Sequence, residues 1–89
     1  MSKLLDKALD ELTPGTSQFN VLLYLAFKGP SLPREISDDT RISPGTVRPA
    51  LRALLSKKYV AQLEDGSYQS KIAFTDIMSD IYARFKGKE

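Results

Sequence analysis

Four basic side chains, Arg48, Arg52, Lys57 and Lys58, fall within the stretch Ser43 to Val60, SPGTVRPALRALLSKKYV, which contains no acidic residue. Guanidinium groups clamp phosphates or pair bidentately with O6 and N7 of guanine, so the chemistry on offer is recognition of an anionic polymer. Other chemistry is scarce. The 89-residue chain has no histidine and no cysteine, which removes His-based acid–base catalysis, Ser-His and Cys-His nucleophile systems, zinc fingers and disulfides. Neither paired carboxylates in a recognisable motif nor a glycine-rich phosphate loop is present. A non-enzymatic protein without cofactor or metal is expected.

The charge is unevenly placed. The whole chain carries a net +2, so with four positive charges in this stretch the remainder sums to −2. A neutral to acidic chain that gathers its positive charge on one helix is arranged to meet phosphates. With 42% hydrophobic and 27% charged residues the composition is that of an ordinary globular protein, expected to form one domain over residues 1–89. The longest apolar run, Val21 to Phe27, is too short to cross a bilayer, and the amino terminus lacks the apolar core of a secretion signal. A cytoplasmic, nucleoid-associated location with no membrane partner is the expectation.

The elements that must position the basic residues follow from periodicity and caps. Leu4, Leu5, Ala8, Leu9 and Leu12 recur at helical spacing and predict an amphipathic N-terminal helix over residues 1–12. Thr13-Pro14-Gly15 breaks it, and Thr16 or Ser17 caps a core helix over 16–28 that is apolar on nearly every side. Gly29-Pro30 ends that helix. Ser31 is placed to cap a short helix that carries Leu32 and Ile36 inward, with Pro33 in its first turn. After the link Arg41-Ile42, Ser43 caps the basic helix and Pro44 takes its first position. Residues 31–58 thus read as a helix-turn-helix, whose second member enters the DNA major groove. Residues 59–74 read as a β-hairpin turning at Asp65-Gly66, with Tyr68, Ile72 and Phe74 as apolar contributors. Thr75 caps a last helix over 75–86 with the stripe Ile77, Met78, Ile81, Tyr82 and Phe85, before Gly87-Lys88-Glu89 frays. The predicted class is mainly α with a small β-hairpin: a winged helix-turn-helix with extra N-terminal and C-terminal helices.

Within the basic helix Val47, Leu51, Leu54 and Leu55 are expected to face the core, which sets Gly45, Pro49, Arg52 and Ser56 at the centre of the outward face and Thr46 and Arg48 on its flanks. Ser43 and Thr46 can donate to phosphates at the helix start. Lys57 and Lys58 stand where cations favour a helix carboxy terminus, so a structural role competes with phosphate contact. Arg34 and Arg41 flank the first helix of the pair and Lys71 is the one cation of the hairpin; each is a candidate backbone contact. The candidate DNA-binding set is therefore Ser43, Gly45, Thr46, Arg48, Pro49, Arg52, Ser56, Lys57, Arg34 and Lys71.

From Phe19 to Phe85 the order of elements and the local sequence resemble the PadR-like transcriptional regulators, above all GTVRPALRALLSKKYV from Gly45, with its mid-helix proline followed by an Ala-Leu pair. The resemblance implies a winged helix-turn-helix that binds double-stranded DNA as a homodimer and regulates transcription, as a repressor that occludes a promoter. The chain departs from that family at three points. Position 48 is Arg where an aromatic residue is common; the hairpin tip Glu64-Asp65-Gly66-Ser67 is acidic; and the chain is short, without tryptophan, so no phenolic-ligand pocket carries over. Pro49 removes a helical N–H, and either the resulting distortion lets the helix approach a duplex or it is inherited geometry.

The terminal helices carry more apolar positions than so small a core needs, which points to a homodimer through one of them. Two alternatives stand beside specific DNA binding. One is a winged-helix module for protein–protein interaction, favoured by the acidic tip; the other is an architectural protein that coats DNA without sequence preference.

Overall fold

The computed structural model describes residues 3–13 and 15–86. Pro14 of the predicted break, Met1 and Ser2 of the first predicted helix, and the Gly87-Lys88-Glu89 tail lie outside them. The elements are five helices, α1 (Lys3–Glu11), α2 (Ser17–Lys28), α3 (Pro33–Thr40), α4 (Pro44–Ser56) and α5 (Phe74–Lys86), with the strands β1 (Val60–Gln62) and β2 (Tyr68–Ser70) between α4 and α5. The fold is mainly helical, with one small antiparallel sheet in which Val60 pairs with Ser70, Ala61 with Gln69 and Gln62 with Tyr68. No helix among the described residues is long and apolar enough to cross a membrane.

The apolar run of α2 explains the arrangement. Val21, Leu22 and Leu25 are buried, and the helix packs on α3, α4 and β2 together. Around it one cluster gathers Ile36 from α3, Val47, Ala50, Leu51 and Leu54 from α4, Tyr59, Val60 and Ile72 from the hairpin, Leu5, Ala8 and Leu12 from the first helical segment, and Ile77 from α5. Thr16 caps α2 as expected, its hydroxyl accepting from the Phe19 N–H at 3.3 Å.

Several expectations are corrected. Ser31 does not cap α3: its backbone forms an isolated antiparallel bridge with Tyr68, through N–H to carbonyl bonds of 3.0 and 2.8 Å. The N-cap position is Leu32, which has no hydroxyl to offer; its own N–H donates to the Glu35 carboxylate at 2.8 Å, the return bond of a capping box. Ser31 thereby stitches the hairpin to the loop after α2. Leu55 does not face the core but is 37% exposed. At about 100° per residue it lies about 80° from Val47, whereas Ala50 and Leu51 flank Val47 more closely and fill the buried arc.

The strands are shorter than read, although backbone bonds continue the hairpin by a residue at each end: Leu63 N–H to the Ser67 carbonyl at 2.8 Å and Lys71 N–H to that of Tyr59 at 2.9 Å. Gly66 takes a positive φ of 90° in the turn, and Asp65 accepts from the Ser67 N–H at 2.9 Å and the Ser67 hydroxyl at 2.6 Å. Those bonds hold the Asp65 carboxyl below its ordinary pKa. Thr75 is not the cap of α5 but lies within it, since the helix begins at Phe74. Phe74 itself is exposed and packs edge-on against Phe27, ring centroids 4.9 Å apart. Of the predicted stripe on α5 only Ile77 is buried.

Candidate nucleic-acid interface

The start of α4 is built by sequence chemistry. Ser43 has extended backbone angles (φ −61°, ψ 149°) and its carbonyl accepts from the N–H groups of Thr46 and Val47, both at 2.9 Å. Pro44 follows at the first helical position, where its missing N–H costs nothing. Ser43 is thus the N-cap residue as expected, but its hydroxyl makes no capping bond to the helix. It meets the Thr46 hydroxyl at 3.1 Å instead, leaving two exposed hydroxyls side by side at the positive end of the helix.

Pro49 does not break α4, which runs unbroken through it. A proline cannot donate to the carbonyl four residues back, here that of Gly45. Both residues are exposed, so water or a ligand donor can serve that carbonyl and the loss stays small. A Cβ placed on Gly45 would meet no atom within 4 Å. The glycine is therefore not needed by the fold; it leaves the outer surface of the helix bare at this point.

The carboxy end of α4 closes in a Schellman motif. The Tyr59 N–H reaches the Leu54 carbonyl at 2.9 Å and the Lys58 N–H reaches that of Leu55 at 3.1 Å, with Lys58 left-handed at φ 69°. Leu54 and Tyr59, the hydrophobic pair of that motif, are both 0% exposed. Lys58 thus has a structural position in backbone terms, one that glycine more often fills. Tyr59 also anchors the first helix, since its hydroxyl donates to Glu11 and the Lys7 ammonium lies 5.8 Å from its ring centre. Burial and the neighbouring Glu11 carboxylate push the Tyr59 phenol up to about 12.

The link between α3 and α4 is held just as firmly. Arg41 is left-handed (φ 63°), its N–H bonded to the Ser37 carbonyl at 2.9 Å. The Ser37 hydroxyl donates to the Ile42 carbonyl and the Thr40 hydroxyl to that of Ile36, both at 2.6 Å. Tyr24 of α2 donates to Asp39 at 2.6 Å, and burial together with that carboxylate raises its pKa. These bonds fix the placement of α4 on α3.

Of the candidate residues, Ser43, Gly45, Thr46, Arg48, Pro49, Arg52, Ser56 and Lys57 are all exposed along α4 and its caps. Among the described residues, none of Arg34, Arg48 and Arg52 is ion-paired. Arg34 and Arg48 come together, lining one cleft of about 240 Å³ between α3 and the start of α4, with Asp38 on its wall. The other acids near Arg34 are occupied, Glu35 by the Leu32 N–H and Asp39 by Tyr24.

Lys57 stands apart from that cleft. It lines a groove with Glu11 and Gln18, its Nζ 3.5 Å from Gln18 Oε1, at the outer limit of a hydrogen bond. Lys71 is exposed just after β2, its N–H donating to the Tyr59 carbonyl at 2.9 Å. The hairpin tip remains acidic in the folded chain, with Glu64 and Asp65 both exposed.

Two residues escaped the sequence reading. Ser17 and Gln18, in the first turn of α2, share a surface groove with Gly45, Thr46 and Pro49 of α4. The one signal in the sequence is a polar first turn ahead of an apolar helix, which by itself says nothing of a neighbour some thirty residues on. No family model, curated protein or solved structure matches this chain.

Proposed function

We propose that the chain is a winged helix-turn-helix protein, similar to the PadR-like regulators, that binds double-stranded DNA through α4 and regulates transcription. The observation that carries this reading is the outer face of α4: Arg48 and Arg52, unpaired and exposed, rise from a surface of Gly45, Thr46, Pro49 and Ser56 that bears no acid. A helix face of small residues and free guanidiniums fits the major groove, where Arg reads guanine and the hydroxyls of Ser43 and Thr46 donate to phosphate. Arg34, across the cleft from Arg48, holds the backbone beside it. No catalytic role is assigned to any residue.

The acidic hairpin tip speaks against minor-groove reading by the wing, since that groove's negative potential repels Glu64 and Asp65. It also supports a second reading, in which the fold docks a protein whose acidic surface meets α4. In the DNA reading the chain acts as a repressor, two copies presenting α4 to successive major grooves about 34 Å apart.

Selection of binding sites from a random duplex pool separates these readings. The DNA reading expects an enriched two-fold or repeated site, with preference relaxed at one position by Arg52→Ala. Enrichment of no sequence despite tight binding would replace it with an architectural coat, and absence of binding would leave the protein-docking reading.

A further inference from the structure

We infer that Gln18 and Lys57 hold the phosphate backbone along the flank of α4 that faces α2, so that the two strands bordering a major groove are gripped separately, one here and one at Arg34 and Arg48. This rests on the DNA reading proposed above and extends it to a second element. An α-helix with its side chains is about 10–12 Å across and the major groove about 12 Å wide. A helix seated there fills the groove, and phosphates run along its two flanks. At about 100° per residue from Pro44, the exposed arc of α4 begins with Arg48 at about 40° and ends with Thr46 and Lys57 at about 200° and 220°. Arg48 marks the α3 flank, where it shares a cleft with Arg34. Thr46 and Lys57 mark the opposite flank, beside the first turn of α2.

The second flank is a trough. Ser17 and Gln18 line one groove of about 330 Å³ with Gly45, Thr46 and Pro49, and a second of about 320 Å³ with Lys57. The two grooves share those α2 residues and so run together along the start of that helix. Short side chains on α4 keep the trough open, and Glu11 is the one acid among the residues lining it. The Glu11 carboxylate is engaged by the Tyr59 hydroxyl. The α3 cleft is built alike, with Asp38 as its one acid.

Lys57 is not spent on the helix it ends. The carbonyls of Ala53, Leu54 and Leu55 accept from the backbone N–H groups of Lys57, Tyr59 and Lys58 at 3.0, 2.9 and 3.1 Å, so α4 closes without an ammonium. The Lys57 side chain crosses to α2 instead, its Nζ 3.5 Å from Gln18 Oε1, and among the described residues it has no ion pair. So long a bond to a neutral amide is weaker than the charge-assisted bond a phosphate oxygen offers. The same contact orients Gln18. With Oε1 turned to the ammonium, Nε2 has no partner among the described residues and keeps two N–H donors. A cation and a neutral donor thus stand side by side in one trough, a pair suited to one phosphate.

Salt-dependent anisotropy titrations of the full chain on a random duplex test the assignment. Lys57→Ala is expected to lower the slope of log K against log salt by about 0.9, one phosphate, and Lys57→Arg to restore it. Gln18→Ala removes no charge and should weaken binding about tenfold with the slope unmoved. Lys57→Ala/Gln18→Ala should lose less than the product of the single losses, because the two share a phosphate. Lys57→Ala/Arg34→Ala should lose the full product, because those residues lie on opposite flanks. Melting temperatures should match the wild type throughout, whereas a Lys57 that served only the helix end would lower the melting temperature and leave the slope alone. A wild-type slope in Lys57→Ala, or coupling of Lys57 to Arg34 in place of Gln18, would overturn the assignment and leave DNA reading by α4 standing. A wild-type chain that binds no duplex at low salt would remove both.

Discussion

Tyr59 shows how one side chain ties local structure to stability. Its ring closes the end of α4, and its hydroxyl, donating to Glu11, holds the first helix in place. Because burial raises its pKa to about 12 from 10, the folded chain keeps a proton that the unfolded chain releases earlier. The associated stability is complete below pH 10 and is lost as pH rises through about 12. Across that window urea titrations should show wild-type stability falling by on the order of 2–3 kcal/mol more than that of Tyr59→Phe. Parallel loss in both proteins would show that the phenol does not titrate in this way. At neutral pH the variant should be about 1 kcal/mol less stable.

Gly45 makes the complementary case, a residue the fold itself does not require. A methyl group there meets nothing, so Gly45→Ala should raise stability by up to about 1 kcal/mol through helix propensity alone. If DNA approaches this surface, the same variant should bind a duplex more weakly, and the opposite signs in thermal melts and binding titrations make the pair informative. Equal or tighter binding would mean that the duplex does not come close at Gly45. At this scale the sequence was legible where a residue acts on its own backbone, as at Thr16, Pro44 and Gly66. It was not legible at Ser43 and Ser31, whose hydroxyl and backbone found partners, Thr46 and Tyr68, that capping rules do not weigh.

Among the elements, α4 carries both the core and the candidate interface, and its two faces can be probed separately. Leu54, 0% exposed, should lose about 2–5 kcal/mol of stability on change to Ala. Leu55→Ala should lose less than about 1 kcal/mol, because that side chain is partly in water. Chemical denaturation of the two variants checks this contrast, and equal losses would contradict the observed rotation of the helix. Periodicity placed the four long helices to within a residue or two, because a 3.6-residue repeat persists through them. The hairpin was overextended, because alternation in a short segment does not say where pairing stops. That most of the α5 stripe stays exposed, with only Ile77 buried, could not be read, because apolar residues keep the same spacing whether the chain's own core covers them or not.

For the molecule as a whole, two opposite kinds of surface lie on different helices. Arg34, Arg48 and Arg52 present unpaired charge around α4, whereas Phe27, Phe74, Tyr82 and Phe85 present uncovered apolar area around α5. The bonded link from Ser37 to Ile42, and the Tyr24 to Asp39 bond behind it, keep α4 at a fixed angle to α2. If α4 meets DNA as proposed, a helix held in this way suits direct reading of base edges, and the small net charge of +2 keeps non-specific attraction modest.

The most direct test is a fluorescence-anisotropy titration of a 30-base-pair duplex at two salt concentrations, with Arg48→Ala/Arg52→Ala beside the wild-type chain. Each phosphate neutralised adds about 0.9 to the slope of log K against log salt. The expected result is steep, salt-dependent binding by the wild-type protein, with affinity and slope both reduced in the double variant. Binding that ignores salt, or a double variant that binds as well as the wild type, would contradict a DNA-reading role for α4.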